Sequence, residues 1–565
     1  MTTADHPTPA PWTNVVANDQ FGFHATAEGA GYTWWGNSRD NQLTPWRNKP
    51  IESPVSEVLY AQDLRTGTVA SLGSGAVRGG VHETRHGFGY TVYRTGFGAL
   101  ELEQTMFVPL EGAVKASIVR VRNTSSVPRA VRLTWYAEPV LGQNRTDASR
   151  HLVTFVDPAT GALAVRNPWS PQAPGQVAFA DMGGEQDQWT TDRTEFLGRH
   201  GSVSRPAGVG PRLSGRVGAG FDPCLALARD VEVGPGESAE VVVTFGATGS
   251  AENVPGLVTE HRSTDWHAEL AAVRSHWDSL LGAVRVRTPD PAFDVMMNGW
   301  LLYQTIACRI QARSGYYQAS GAYGFRDQLQ DSMTAVLVDP GVARAHLLTA
   351  AGRQFREGDV QHWWLPASGD GIRTRITDDV VWLAYVTAHY LRVTGDTGVL
   401  EEQVPFLEGP QLEEGEHERC FRPEVSAATA SVYEHCLLGL RHAMRYGFHG
   451  LPLMGTGDWN DGMNRVGAEG RGESVWLGWF LVNALEEFGE VADARGDSEV
   501  VEEFAAERTR LIAALEDAGW DGEWYRRGYF DDGTPLGAAG RAECRIDAIA
   551  QSWAVLAGGE RPERA

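Results

Sequence analysis

The sequence predicts a multidomain chain, first β and then α: an antiparallel β-sandwich followed by a region of paired helices. Three observations carry this. A length of 565 residues exceeds one ordinary hydrophobic core, so two or three domains are expected. From about residue 12 to 250 apolar and polar residues alternate with a period of two, broken at short intervals by turn clusters. From residue 263 onward the apolar spacing changes to three and four, as on one face of a helix. The expected domains are a β-sandwich over 1–262, a helical linker over 263–290 and a helical domain over 291–565.

In 114–122 and 131–136 apolar residues alternate with arginines and a threonine, and Asn123-Thr124-Ser125-Ser126-Val127-Pro128 supplies turn residues between them. A hairpin with one solvated face is expected there. Gly234-Pro235-Gly236-Glu237-Ser238 leads into 239–245, where Val241, Val242 and Val243 read as a buried strand. Trp266, Leu270, Val273, Trp277 and Leu280 then form one helical stripe within 263–281. Asp290 is a fitting N-cap for a helix opened by Pro291. Beyond it, 378–391, 427–444, 474–494 and 500–518 read as helices divided by Gly/Pro/Asp loops, which suggests helix hairpins.

Composition removes several functions. A formal charge of −23 argues against nucleic acids and anionic membranes, which demand clustered Lys/Arg. The only lysines are Lys49 and Lys115, and neither sits in a phosphate loop or a kinase strand motif. Gly73, Gly75, Gly79 and Gly80 have the wrong spacing for a dinucleotide fingerprint. Cys224, Cys308, Cys420, Cys436 and Cys544 are scattered and odd in number, which fits free thiols in a reducing compartment. His417-Glu418-Arg419-Cys420 and Glu434-His435-Cys436 lack the spacing of metal ligands, so no metal is expected. The opening residues 1–7 have no basic or apolar leader and no run approaches 18 apolar residues, so a soluble, cytoplasmic chain is expected.

Two clusters carry chemistry. Gly457-Asp458-Trp459-Asn460-Asp461-Gly462-Met463-Asn464 places two carboxylates on either side of an indole. An indole face stacks on the apolar face of a pyranose, while a carboxyl group beside it can bond hydroxyls or give a proton to a glycosidic oxygen. Upstream, Gly321-Ala322-Tyr323-Gly324-Phe325-Arg326-Asp327-Gln328-Leu329-Gln330-Asp331 offers an arginine fork and two more acids. Taken singly, the first cluster reads as a turn with a core tryptophan, and Arg326 with Asp327 as a local ion pair at a helix start. Together, and in this order, they resemble glycoside hydrolase family 94, the inverting disaccharide and oligosaccharide phosphorylases. The wording 314–327, Ser-Gly-Tyr-Tyr-Gln-Ala-Ser-Gly-Ala-Tyr-Gly-Phe-Arg-Asp, is most similar to the 1,2-β-oligoglucan phosphorylases and the phosphorylase-like C-terminal part of cyclic β-1,2-glucan synthases.

The resemblance implies an (α/α)6 barrel for 291–565 and an inverting phosphorolysis in which inorganic phosphate is the nucleophile and no cofactor is needed. It implies Asp461 as general acid, with its pKa raised by burial or a neighbouring anion, and Asp458 as a support. It implies Arg326, Asp331 and Trp459 as groups that hold the transferred glucosyl residue. Arg313, His362, Trp363 and Arg373 are weaker candidates for substrate or phosphate, and 373–379 with His362-Trp363-Trp364 for acceptor subsites. Tyr433-Glu434-His435 and Glu473 resemble family wording near the barrel centre, with core and site roles equally open.

Family members continue past the end of this chain, through a histidine and a Thr-Gly-rich loop that bind phosphate with an upstream arginine. Here no histidine follows His449, so the resemblance implies a barrel truncated at its C-terminus. The expected function is transfer of a β-linked glucosyl residue, from a β-1,2-glucan first of all, to phosphate to give α-glucose 1-phosphate. The rivals are an inactive or split fragment that binds carbohydrate without turnover, and an inverting hydrolase. Expected partners are an oligosaccharide and either a second copy in a homodimer or a complementing C-terminal chain.

Overall fold

The computed structural model describes residues 8–77, 80–171, 173–558 and 564; residues 1–7, 78–79, 172, 559–563 and 565 lie outside them. The chain divides into two compact units, Met1–Gly321 and Ala322–Ala565.

The first unit is an antiparallel β-sandwich. One sheet has eight strands in the order Val153–Val156, Leu163–Arg166, Val177–Asp181, Ser238–Thr248, Val114–Asn123, Leu100–Phe107, Tyr90–Phe97 and Val81–Gly87. The other has five, in the order Gln188–Asp192, Pro223–Val233, Arg129–Ala137, Glu57–Asp63 and Val69–Ser71. Alternate residues face inward, and Val119, Val121, Val241, Val243 and Phe245 of the first sheet meet Leu59, Val131, Leu133, Trp135 and Leu227 of the second in one core. Lys115, only 4% exposed, is ion-paired with Glu57 of the opposite sheet.

The expected hairpin is corrected. Val114–Asn123 pairs with Leu100–Phe107 and Ser238–Thr248, whereas Arg129–Ala137 pairs with Glu57–Asp63 and Pro223–Val233, so the two strands lie in opposite sheets. The intervening residues form a corner, held by Asn123 Nδ2 donating to the carbonyls of Val127, Val233 and Gly234. Nor is the outer face of 131–136 wholly wet, because Tyr136 stacks on Phe196 at 4.7 Å. Alternation fixes which residues face a core but not which strand lies beside them.

The Trp266 stripe forms the helix Trp266–Leu281, capped by Asp265 and burying Trp266, Leu270, Val273, Trp277 and Leu281. Asp290 caps the following helix as expected, accepting from Ala292 N at 2.9 Å. That helix continues to Gln311 through two wider, π-type stretches and is tied to the first strand by Tyr303, whose hydroxyl donates to Val15 O at 2.7 Å.

The second unit is helical: Phe325–Ala335, Pro340–Ala351, Asp379–Thr394, Val432–Ala443, Val475–Arg495, Ser498–Ala514 and Ala548–Leu556. Asp379–Thr394 and Val475–Arg495 are apolar nearly all round and form its centre, with Trp382 and Phe480 at 4.5 Å. The helix expected over 427–444 begins only at Val432, because 424–431 pairs as a strand with Gln403–Glu408. Ser431 and Glu434 close a capping box at that boundary, which gives Glu434 a structural task.

Candidate active site

Arg326 lies in the first turn of the helix Phe325–Ala335 and is 5% exposed. Its Nη1 donates to Asp378 Oδ1 and to the Asp458 carbonyl, both at 2.8 Å, and its Nη2 donates to Asp461 Oδ1. One guanidinium therefore joins the start of the helix Asp379–Thr394 to the loop that carries Asp461. Burial works against the charge of Arg326, but Asp378, Asp379 and Asp461 around it raise its pKa. Burial also pushes the Asp378 carboxyl up to about 7, with Arg326 pulling against the rise and Asp379 adding to it.

The loop is fixed from beneath by Asp458. This side chain is fully buried, gripped by Arg527 at 2.6 and 2.5 Å and by Ser474 Oγ at 2.7 Å. Gly457, at φ +147°, gives the backbone the turn that sends Asp458 inward and leaves the next residues outward. Trp459 is 46% exposed, its Nε1 donating to Gln330 Oε1 at 3.3 Å. Asp461 opens a short turn capped by Asn460 and keeps its carboxylate open to solvent.

His362 enters from the strand Gln361–Trp364. Gln361 pairs with Arg373 and Trp363 with Ile372, so His362 is the extra residue of a β-bulge, and the bulge turns its ring out of the ladder. Nδ1 stands 2.8 Å from Asp379 Oδ2 and Nε2 stands 3.8 Å from Asp461 Oδ2. Burial pulls the ring's pKa down, yet the Asp379 and Asp461 carboxylates outweigh it and lift it to about 10, so the ring is an imidazolium at neutral pH. For Asp461, burial acts upward, but the interaction with His362 and the charge of Arg326 prevail and hold the carboxyl down at about 2. The carboxyl of Asp461 is thus lowered, against the raised pKa expected of it.

The remaining candidates are distributed differently. Asp331 is partly exposed on the same helix as Arg326, five residues on and so about 140° around the axis, while Gln330 shares the face of Arg326. Trp363 is partly exposed beside His362. Arg373 is 2% exposed, paired with Asp359 at 2.6 Å and Glu357 at 3.1 Å, and forms part of the wall of a separate cleft of about 740 Å³. Arg313 belongs to the first unit, where it donates to the carbonyls of Ile310, Gln311 and Gly321. Glu473 is buried and accepts from the backbone of His449 and Leu451, a loop-bracing task. Among the described residues no group of His, Cys, Asp and Glu could hold a metal ion.

Sequence reasoning reached Asp378 and Asp379 only as part of the 373–379 stretch offered for acceptor subsites, and it missed Arg527. The aspartate pair carried a signal, an acidic pair opening an apolar helix. Arg527 carried none, since a lone arginine in a turn reads as surface.

The arrangement offers an open carboxylate and an exposed indole over a buried arginine, with a protonated imidazole beside them. Residues 1–264 match the glycosyl hydrolase 94 supersandwich domain, and residues 276–565 match the glycosyl hydrolase 94 superfamily catalytic domain. The chain is 46% identical over 562 residues to the cyclic beta-(1,2)-glucan synthase NdvB of Rhizobium meliloti (strain 1021), covering 99% of this chain and 20% of the synthase. It is 28% identical over 571 residues to the 3-O-beta-D-glucopyranosyl-beta-D-glucuronide phosphorylase of Paenibacillus borealis, covering 99% of this chain and 70% of that enzyme. A bacterial glucoamylase solved with acarbose shares the fold at a TM-score of 0.58 and 9% identity, over 92% of this chain and 71% of that one. The fold is therefore the expected β-sandwich followed by a helical domain of the (α/α)6-barrel class, and the chain belongs to glycosyl hydrolase family 94.

Proposed function

We propose that this member of glycosyl hydrolase family 94 is an inverting glycoside phosphorylase that moves a β-linked glucosyl residue from an oligoglucan to inorganic phosphate, giving α-glucose 1-phosphate. The observation that carries the reading is the Arg326 bridge to Asp461, beside the exposed indole of Trp459. Asp461 is the acid that protonates the leaving oxygen, and phosphate supplies the nucleophile, so no second carboxylate has to activate water. Arg326, Asp331 and Trp459 hold the glucosyl residue, and no organic cofactor or metal enters. Similarity to a cyclic beta-(1,2)-glucan synthase supports a β-1,2 linkage in the substrate. We place the reaction in the cytoplasm and in a homodimer. Among the described residues no helix is long and apolar enough to cross a membrane.

A second reading, a carbohydrate-binding chain without turnover, is favoured by one observation, the bond from Arg326 Nη2 to Asp461 Oδ1 that favours the ionised carboxylate. The deciding experiment is release of glucose 1-phosphate from β-1,2-glucooligosaccharides by the purified chain with and without phosphate. Phosphate-dependent product is expected. Glucan binding by calorimetry with no product establishes the second reading instead, and reducing sugar released equally without phosphate establishes a hydrolase.

A further inference from the structure

We propose that His362 is a positioning residue that stores on Nε2 the proton which Asp461 delivers to the glycosidic oxygen, with Asp379 holding the ring in place. The proposal rests on the assignment of Asp461 as the acid, and adds where its proton comes from.

Three geometric facts carry it. The β-bulge at His362 removes this residue from the strand ladder and aims its ring at two carboxylates of different elements. Asp379 fixes the tautomer: with Nδ1 2.8 Å from Asp379 Oδ2, the ring donates from Nδ1, and Nε2 is left to face Asp461 Oδ2 at 3.8 Å. Asp379 is 1% exposed, its other oxygen has no hydrogen-bond partner, and Arg326 bonds Asp378 rather than Asp379, so the imidazolium is the cation hydrogen-bonded to this buried carboxylate. The charged groups facing the ring are Asp379, Asp461 and Arg326.

The bond from Arg326 Nη2 to Asp461 Oδ1 favours the carboxylate, so the acid takes its proton from a neighbouring donor, and Nε2 of His362 is the group that faces its other oxygen. In the proposed sequence the phosphate anion bound beside Asp461 raises the proton affinity of its carboxylate, Nε2 closes the 3.8 Å gap to Oδ2, and the Nε2–H bond breaks as its proton bonds to Asp461 Oδ2. Asp461 then passes it to the glycosidic oxygen as the C1–O bond breaks with its electron pair on the leaving oxygen, while a phosphate oxygen supplies the pair for the new C1–O bond. The monoester formed from hydrogen phosphate sheds its remaining proton, which returns to the imidazole. The sum is one oligoglucan and one hydrogen phosphate giving one shortened glucan and one sugar phosphate dianion.

Two measurements test this. In the full chain with 15N-labelled histidine, the His362 ring, assigned by its loss in His362→Asn, should carry both protons at about pH 8 and should be neutral there in Asp379→Asn. A neutral ring in the unaltered protein at that pH overturns the proposal, whether or not the chain turns over. In turnover, His362→Asn keeps an amide for Asp379 but has no proton to transfer. Phosphorolysis of β-1,2-glucooligosaccharide should fall on the order of 100-fold. Phosphorolysis of β-glucosyl fluoride, whose leaving group needs no proton, should stay within about threefold. Equal loss on both substrates overturns the proposal. Full oligosaccharide turnover by Asp461→Asn instead overturns the assignment of the acid, independently of the charge on His362.

Discussion

Arg527 grips Asp458 with both Nη atoms, at 2.6 and 2.5 Å, where neither side chain exposes more than 2% of its surface. The two are 69 residues apart in sequence. Because the carboxylate of Asp458 is held below, its carbonyl is presented to Arg326, and the residues that follow it turn outward with Trp459 and Asp461. The ion pair is thus a foundation of the site rather than a part that meets substrate.

Breaking that pair from one side leaves a buried charge alone, which costs about 3–5 kcal/mol. Arg527→Met should lower the stability of the helical unit by that order in denaturant unfolding followed by tryptophan fluorescence. A loss below about 1 kcal/mol would mean that water reaches Asp458 and the pair is not a foundation.

The stability of the site depends on pH in a direction that can be worked out. His362 has a folded pKa of about 10 against 6.5 unfolded, so its contribution is complete below pH 6.5 and is lost as pH rises toward 10. Asp461 is held down at about 2 from 3.8, so its contribution is present above pH 3.8 and lost as pH falls toward 2, in a form weakened by its exposure to solvent. The difference in unfolding free energy between the unaltered chain and His362→Asn should therefore shrink between pH 6.5 and 10. A difference that stays constant across that range would place His362 in its neutral form.

At Gly89 the Trp277 helix comes close to the sandwich backbone. This glycine sits at φ +79°, and a Cβ there would lie 2.6 Å from the indole of Trp277 and from Val273. Gly89→Ala should cost about 1–3 kcal/mol through overpacking, with additional strain from the left-handed backbone. Thermal unfolding reads it out; an unchanged Tm would show that the helix shifts without cost.

Trp459 is the more exposed of the two tryptophans beside the site, Trp459 and Trp363. Trp459→Ala should leave unfolding within about 0.5 kcal/mol of the unaltered chain, because so much of the indole is exposed. The same change should weaken binding of β-1,2-glucooligosaccharide about tenfold, the size of one lost stacking contact. Calorimetry that finds equal affinity would move the sugar away from this indole.

Much of this was legible in the chain as written. The Trp266, Leu270, Val273 and Trp277 stripe folds as one helix, and Asp290 caps the next because a short acid before proline has few better uses. Helix limits near Val475 and Ser498 followed from Gly/Asp punctuation. Other elements misled. The alternation on either side of Asn123 reads as a hairpin, yet Asn123 makes a corner between two sheets, since a period of two says nothing about the neighbour. The segment 427–431 carries helix-forming alanines but pairs as a strand, its partner supplied from residues 403–408.

For the site the division is sharper. Residue types, the two clusters and their order are readable along the chain, because local chemistry is written in neighbouring letters: an indole between acids at 458–461 and an arginine at 326. What those groups do follows from where folding puts them. The tertiary structure set Arg527 under Asp458, turned His362 out of its ladder between Asp379 and Asp461, and committed both Nη atoms of Arg326 to protein oxygens. The charge state of each acid follows from that placement, since burial and neighbouring charge act over a few ångströms of space, whatever the distance along the chain.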